Sequence, residues 1–194
     1  MKSDYVIWKA RRIADSYLLD MLVGVENDYK LKSGISFLST FPSSAFYTVN
    51  PDYPYNTLLV DNLPNTDRLI VASDRLKGFL EQHIRAKVEY LPISIHNHKN
   101  RPIREIYFII NPLDPIDGLD IEKCSVTWSK IVKDKIRDIK RIVLLEEKID
   151  KERQLFRLAR YDKIVLIKKE LARKIDEAGF TGIQWVELDK YPED

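Results

Sequence analysis

Two stretches of the chain carry the same succession of apolar and polar positions. In the later one, Ile164-Val165-Leu166-Ile167 is a short apolar run rich in β-branched residues behind the polar pair Asp162-Lys163, which predicts a buried strand. From Lys168 the period changes. Leu171, Ala172, Ile175 and Ala178 fall on one helical face, while Lys169, Glu170, Arg173, Lys174 and Glu177 fall on the other. Gly179 is placed to end that helix, because glycine enters the left-handed C′ conformation without steric cost. After Gly182, Ile183-Gln184-Trp185-Val186-Glu187-Leu188 alternates with the period of a half-buried strand.

Residues 69–93 repeat this grammar. A shift of 95 positions without a gap sets Ile164 on Leu69, Leu166 on Val71, Leu171 on Leu76, Ile175 on Leu80, Ile183 on Val88 and Trp185 on Tyr90. Ser73 or Asp74 can cap the earlier helix, and Leu76, Phe79, Leu80 and Ile84 form its apolar face. The two stretches are an internal duplication or two units of one type.

The remaining elements are shorter. Tyr5-Val6-Ile7-Trp8 predicts a strand, and residues 14–25 are apolar nearly all round, so helix and buried strand stay open there. Ile35-Ser36-Phe37-Leu38 reads as a strand, and Asn50 to Asn56, with Pro51 and Pro54, as a loop. Apolar runs at 88–95 and 103–110 flank a polar segment from His96 to Pro102, the pattern of an antiparallel hairpin. Ser125-Val126-Thr127-Trp128, an alternating 136–145 and Leu155-Phe156-Arg157-Leu158 add further strands. The sum is an α+β fold of mostly antiparallel sheets with a few packed helices and two similar strand-helix-strand units. One domain spans 1–194, with a possible N-terminal subregion at 1–64.

Composition narrows the function classes. Hydrophobic residues make up 44% of 194, as in ordinary globular proteins. No stretch is long and apolar enough to span a bilayer, and the first residues lack the apolar core of a secretion signal, so a cytoplasmic protein is expected. A single cysteine, Cys124, rules out an internal disulfide. Net charge is only +2, yet residues 130–174 hold 16 Lys and Arg against 8 Asp and Glu, which leaves 16 against 22 elsewhere. Such polarity suits a partner recognised partly by electrostatics.

Candidate chemistry is sparse. His96 and His98 would share one face of an extended segment, as a metal pair requires, but two ligands make no site and the surroundings are those of an exposed turn. Asp114, Asp117, Asp120 and Glu122 lie in a loop ordered by proline and glycine, where aspartates more often bind backbone N–H groups than do acid–base work. Cys124 and Ser125 lack an activating context, and no glycine-rich phosphate loop exists. The basic run from Lys130 to Arg141 adjoins Trp128, but Asp134 and Asp138 interrupt it, which disfavours nucleic acid. Arg157 is either a plain exposed arginine or the bidentate partner of an aspartate from the 114–120 loop. No catalytic, cofactor-binding or metal-ligating residue emerges. A metal-dependent enzyme using His96, His98 and the aspartates, and a nucleic-acid binder, stay as alternatives to a protein that works by docking.

A resemblance favours docking. Leu69-Ile70-Val71-Ala72-Ser73-Asp74-Arg75-Leu76, Tyr90-Leu91-Pro92-Ile93, Tyr107-Phe108-Ile109-Ile110-Asn111 and the run from Asp117 to Ser125 follow in an order that resembles a bacterial family. Leu155-Phe156-Arg157-Leu158 and the run from Ala178 to Trp185 continue it. Residues 67–188 are similar to the immunity proteins of polymorphic toxin systems, families eleven and forty-three of that series; Lys168-Lys169 departs from the expected helix start. The resemblance implies a protein that binds and neutralises a cognate toxin, with no catalytic residues to carry over and no cofactor. Asp114, Asp117, Asp120, Glu122, Trp128 and Arg157 are the candidate partner-binding residues.

Overall fold

The computed structural model describes residues 3–85 and 87–192. Its strands are β1 (Tyr5–Ala10), β2 (Leu19–Val23), β3 (Phe46–Val49), β4 (Ile70–Ser73), β5 (Val88–His96) and β6 (Tyr107–Pro112). They continue with β7 (Ser125–Trp128), β8 (Ile136–Arg141), β9 (Leu155–Arg157), β10 (Val165–Lys168) and β11 (Ile183–Glu187). Helix α1 (Asp74–His83) follows β4, and α2 (Lys169–Glu177) follows β10.

Both repeated stretches fold as strand, helix, strand, and in both the two strands are kept apart by a third. The five-stranded sheet has the order β2-β3-β5-β6-β4, and β6 runs antiparallel to both β4 and β5. The four-stranded sheet has the order β11-β1-β10-β9, and there β1 runs antiparallel to both β10 and β11. The first unit takes its middle strand from the hairpin that follows it; the second takes it from the opposite end of the chain. Strand β1 lies inside the sheet built by the last third of the chain, and β2 and β3 join the five-stranded sheet.

The gap-free shift also predicts which way side chains face. Ile70 and Ala72, and their counterparts Val165 and Ile167, point into one central core with Val6 and Trp8. Leu76 and Leu80 of α1 enter it beside Leu171 and Ile175 of α2. The alternate positions face outward into two further cores. Leu69, Val71, Leu91 and Ile93 pack with β2, β3 and the 31–37 segment, whereas Ile164, Leu166, Val186 and Leu188 pack with β8 and the 116–149 segment. Period-two alternation in strands buried on both faces produces this layering.

Helix ends follow local chemistry. The Ser73 hydroxyl accepts from the Leu76 N–H at 3.2 Å and caps α1, while Lys168 offers α2 no side-chain cap. Gly179 sits at φ 70° just past α2, as its place in the pattern predicts, whereas Ala178 ends the helix exposed and outside the core.

Four expectations change. The open segment 14–25 contains a strand, β2. The 35–38 run is not a strand: the N–H of Phe37 donates to the buried Glu89 carboxylate at 2.9 Å, and the Ser36 hydroxyl donates to it too, so donors that would enter a ladder bind a side chain. Strand β3 was not foreseen; it lies parallel to β5. In β8 the alternation fails, because register shifts against β7 bury Ile136 and Ile139, three residues apart, and Ile142 just past the strand is buried as well.

Candidate partner-binding surface

The acidic loop does not converge on a single point. Asp114, at φ 53°, pairs with Lys87 at 3.1 Å; Asp117 pairs with Arg160 at 3.0 Å; Asp120 accepts from the Lys123 ammonium at 2.8 Å. Asp120 is mostly buried, and its bond to Lys123 holds its carboxyl below the usual range. Glu122 is exposed. Three of the four carboxylates thus have a cation each, and Asp120 also accepts from the Lys123 backbone N–H at 3.3 Å, the turn role that aspartate takes beside glycine.

Arg157 departs from both readings of it. It is neither exposed nor paired to a loop aspartate but 1% accessible, with Nη1 donating to the Asp162 backbone carbonyl at 3.0 Å. Nε and Nη2 have no hydrogen-bond partner among the described residues. Burial pushes its pKa down to about 10, against a smaller opposing pull from Asp162. The acidic loop does run beside it, through its backbone: the Ile116 N–H donates to the Arg157 carbonyl at 2.9 Å.

Trp128 is brought together with the basic run. β7 and β8 form a two-stranded ribbon whose Ile136 and Ile139 are anchored in a core, while Trp128, Ile131 and Val132 stand exposed around its turn. Lys135 ties the base down, donating to Asp162 at 2.7 Å and to the Ala159 carbonyl at 2.9 Å.

His96 and His98 turn to different neighbours. The His96 ring stacks on Phe46 with centroids 3.8 Å apart, whereas His98 Nε2 lies 3.0 Å from the Asn56 carbonyl. Among the described residues no group of three His, Cys, Asp or Glu side chains is placed to hold a metal ion. The Cys124 thiol is pushed up by burial and lies against the Val143 backbone.

Sequence reasoning missed the junction between the two sheets. Asp61 accepts from Ser73 Oγ at 2.8 Å, from Arg75 Nη2 at 2.8 Å, and from both N and Oγ1 of Thr181 at 2.9 Å. Burial pushes this carboxyl upward, but the bonds from Arg75, Thr181 and Ser73 outweigh that and leave it below its usual value. Next to it the fully buried Asn62 accepts from the Trp8 indole at 2.6 Å and donates its own N–H to the Thr181 carbonyl at 3.0 Å. One signal was available. Arg75 is a cation in the first turn of α1, where the helix dipole disfavours it. An anion from another segment offsets that.

Among the described residues no helix is long and apolar enough to cross a membrane. No curated protein matches the chain. The model of one family, described as Immunity protein family (Imm11), matches residues 25–190. The match begins well before residue 67, so β3 and the glutamate-bound 35–38 segment fall within the family along with both repeated units. The chain belongs to the Imm11 family of immunity proteins.

Proposed function

We propose that this protein binds a cognate toxin in the cytoplasm of the cell that makes both, and neutralises it by covering the toxin's active site. The family match over residues 25–190 carries this reading. The surface is consistent with it: the basic ribbon with Trp128 gives a charged face for electrostatic steering, and the 114–122 loop adds the exposed Glu122 beside the salt-bridged Asp114 and Asp117. Asp120 and Arg157, being buried, support this surface from beneath.

Producing the toxin encoded beside this gene, with and without this chain, tests the proposal. Growth should be restored only when both are made, the purified pair should elute as a stoichiometric complex, and toxin activity should fall to background at saturation. Absence of a complex at micromolar concentrations would reject binding. A saturated complex that retains activity would reject occlusion.

A further inference from the structure

The turn of the β7–β8 ribbon combines two features that folding does not need. Ile131 is 95% exposed, Val132 53% and Trp128 41%. Ile131 contributes almost nothing to a core, Val132 and Trp128 leave about half of their surface in water, and neighbouring apolar groups so placed invite association. Around them Lys130, Lys133 and Arg137 form no ion pair among the described residues, with Asp134 interspersed, while Lys140 and Arg141 continue the basic run toward the other end of the ribbon.

The turn is also held in place. Ser129 Oγ accepts from the N–H groups of Ile131 at 3.2 Å and Val132 at 3.0 Å, and the Ser129 N–H donates to the Lys135 carbonyl at 2.8 Å. The Ile136 N–H reaches the Arg160 carbonyl at 2.8 Å. Much of the conformational entropy that a partner would otherwise have to remove is therefore already lost on folding.

We infer that this turn is an insertion element: Ile131, Val132 and Trp128 enter an apolar pocket of a protein whose rim is lined by carboxylates. The inference rests on the proposed function and names the recognition chemistry of the toxin surface. The cationic collar selects an acidic rim. The aliphatic tip favours protein over nucleic acid, because Ile131 and Val132 offer neither charge nor hydrogen bonds to phosphates and base edges, and Trp128 alone makes no stacking platform. Central apolar and aromatic anchors ringed by charge are the usual anatomy of a tight interface.

The test titrates the full chain against the toxin domain encoded beside it, by calorimetry and by association kinetics at two salt concentrations. The double variant Ile131→Asp/Val132→Asp should bind roughly 30-fold or more weakly than wild type. Lys130→Glu/Lys133→Glu should slow association at low salt, with a smaller deficit at high salt. Thermal melts check that both variants fold, and Ile131→Ser/Val132→Ser replaces the first if it does not. If wild type binds and the tip variants bind within about threefold of it, the insertion element is refuted while the proposed function stands. If wild type does not bind, both fall. If wild type instead binds a DNA duplex with steep salt dependence and Lys130→Glu/Lys133→Glu abolishes this, the protein partner is refuted in favour of nucleic acid.

Discussion

The junction between the sheets and the turn of the β7–β8 ribbon treat charge in opposite ways. At the junction, Asp61 is satisfied by Ser73, Arg75 and Thr181, and the buried Asn62 by Trp8. At the turn, Lys130, Lys133 and Arg137 form no ion pair among the described residues, and three large apolar side chains are exposed. Groups at the junction are partnered inside the fold, whereas the charged and apolar groups at the turn find no such partner among the described residues. Substitutions at the junction should therefore cost stability, and those at the turn should cost only binding.

Gly182 should show the largest effect. A Cβ there would fall 2.3 Å from the Asn62 carbonyl oxygen and 2.8 Å from Val60, at a φ of 78°. Adding the backbone strain to the overpacking, Gly182→Ala should cost about 4 kcal/mol in urea unfolding. Gly179 is the control. It shares the positive φ but has no atom within 4 Å of its built Cβ, so Gly179→Ala should cost about 1 kcal/mol. Equal costs would mean that backbone conformation, not the close approach to Asn62, governs this junction.

Asp61→Asn comes next. The amide puts a donor where Oδ2 accepts from Arg75 and Thr181, and a loss of about 2 kcal/mol at neutral pH is expected, most of it from Thr181 because Arg75 is half exposed. The folded state holds this carboxyl below its ordinary value of 3.8, so its contribution is complete above that value and disappears as pH falls through the lower folded value. The gap in unfolding free energy between wild type and variant should narrow as the solution is made more acid than about pH 4. Taking the difference removes most of the slope due to Asp120 and Glu170, whose carboxyls are also lowered. A gap that is constant with pH would show that the charge on Asp61 is not what the junction uses. Arg157→Met is predicted to move stability the other way, by about 1 kcal/mol, since it removes two buried donor atoms that lack partners among the described residues. A substantial loss instead would mean that the guanidinium is satisfied in solution.

The same contrast explains what the sequence could disclose. The two units were legible because period and composition act locally. A shift of 95 residues carried Leu69, Val71, Leu76 and Leu80 onto Ile164, Leu166, Leu171 and Ile175, and each pair occupies equivalent layers. Segment 35–38 was misread because its apolar pattern is that of a strand, while the Glu89 side chain that takes its donors is more than 50 residues away. Arg157 was misread for a related reason: alternation with Phe156 and Leu158 places it on the other face of a strand, but that face looks onto a second core rather than onto water. Trp128 and the basic run were visible as neighbours in sequence. That Ile131 and Val132 stand out between them depends on the turn held by Ser129, which no periodicity announces.

The smallest expected effect is the one that most sharpens the contrast. Ile131→Asp/Val132→Asp replaces two aliphatic side chains in the middle of a strand-connecting turn, a change that inside a core would abolish folding. Here almost no buried area is lost from Ile131 and only the covered half of Val132 is at stake, and the backbone bonds to Ser129 Oγ come from N–H groups that the substitution keeps. The new carboxylates stand among Lys130, Lys133 and Arg137, so they reduce like-charge repulsion rather than add to it. Unfolding free energy should stay within about 0.5 kcal/mol of wild type. A cost of 2 kcal/mol or so would place Ile131 and Val132 against another part of this same chain, and the turn would then be a structural element like the junction.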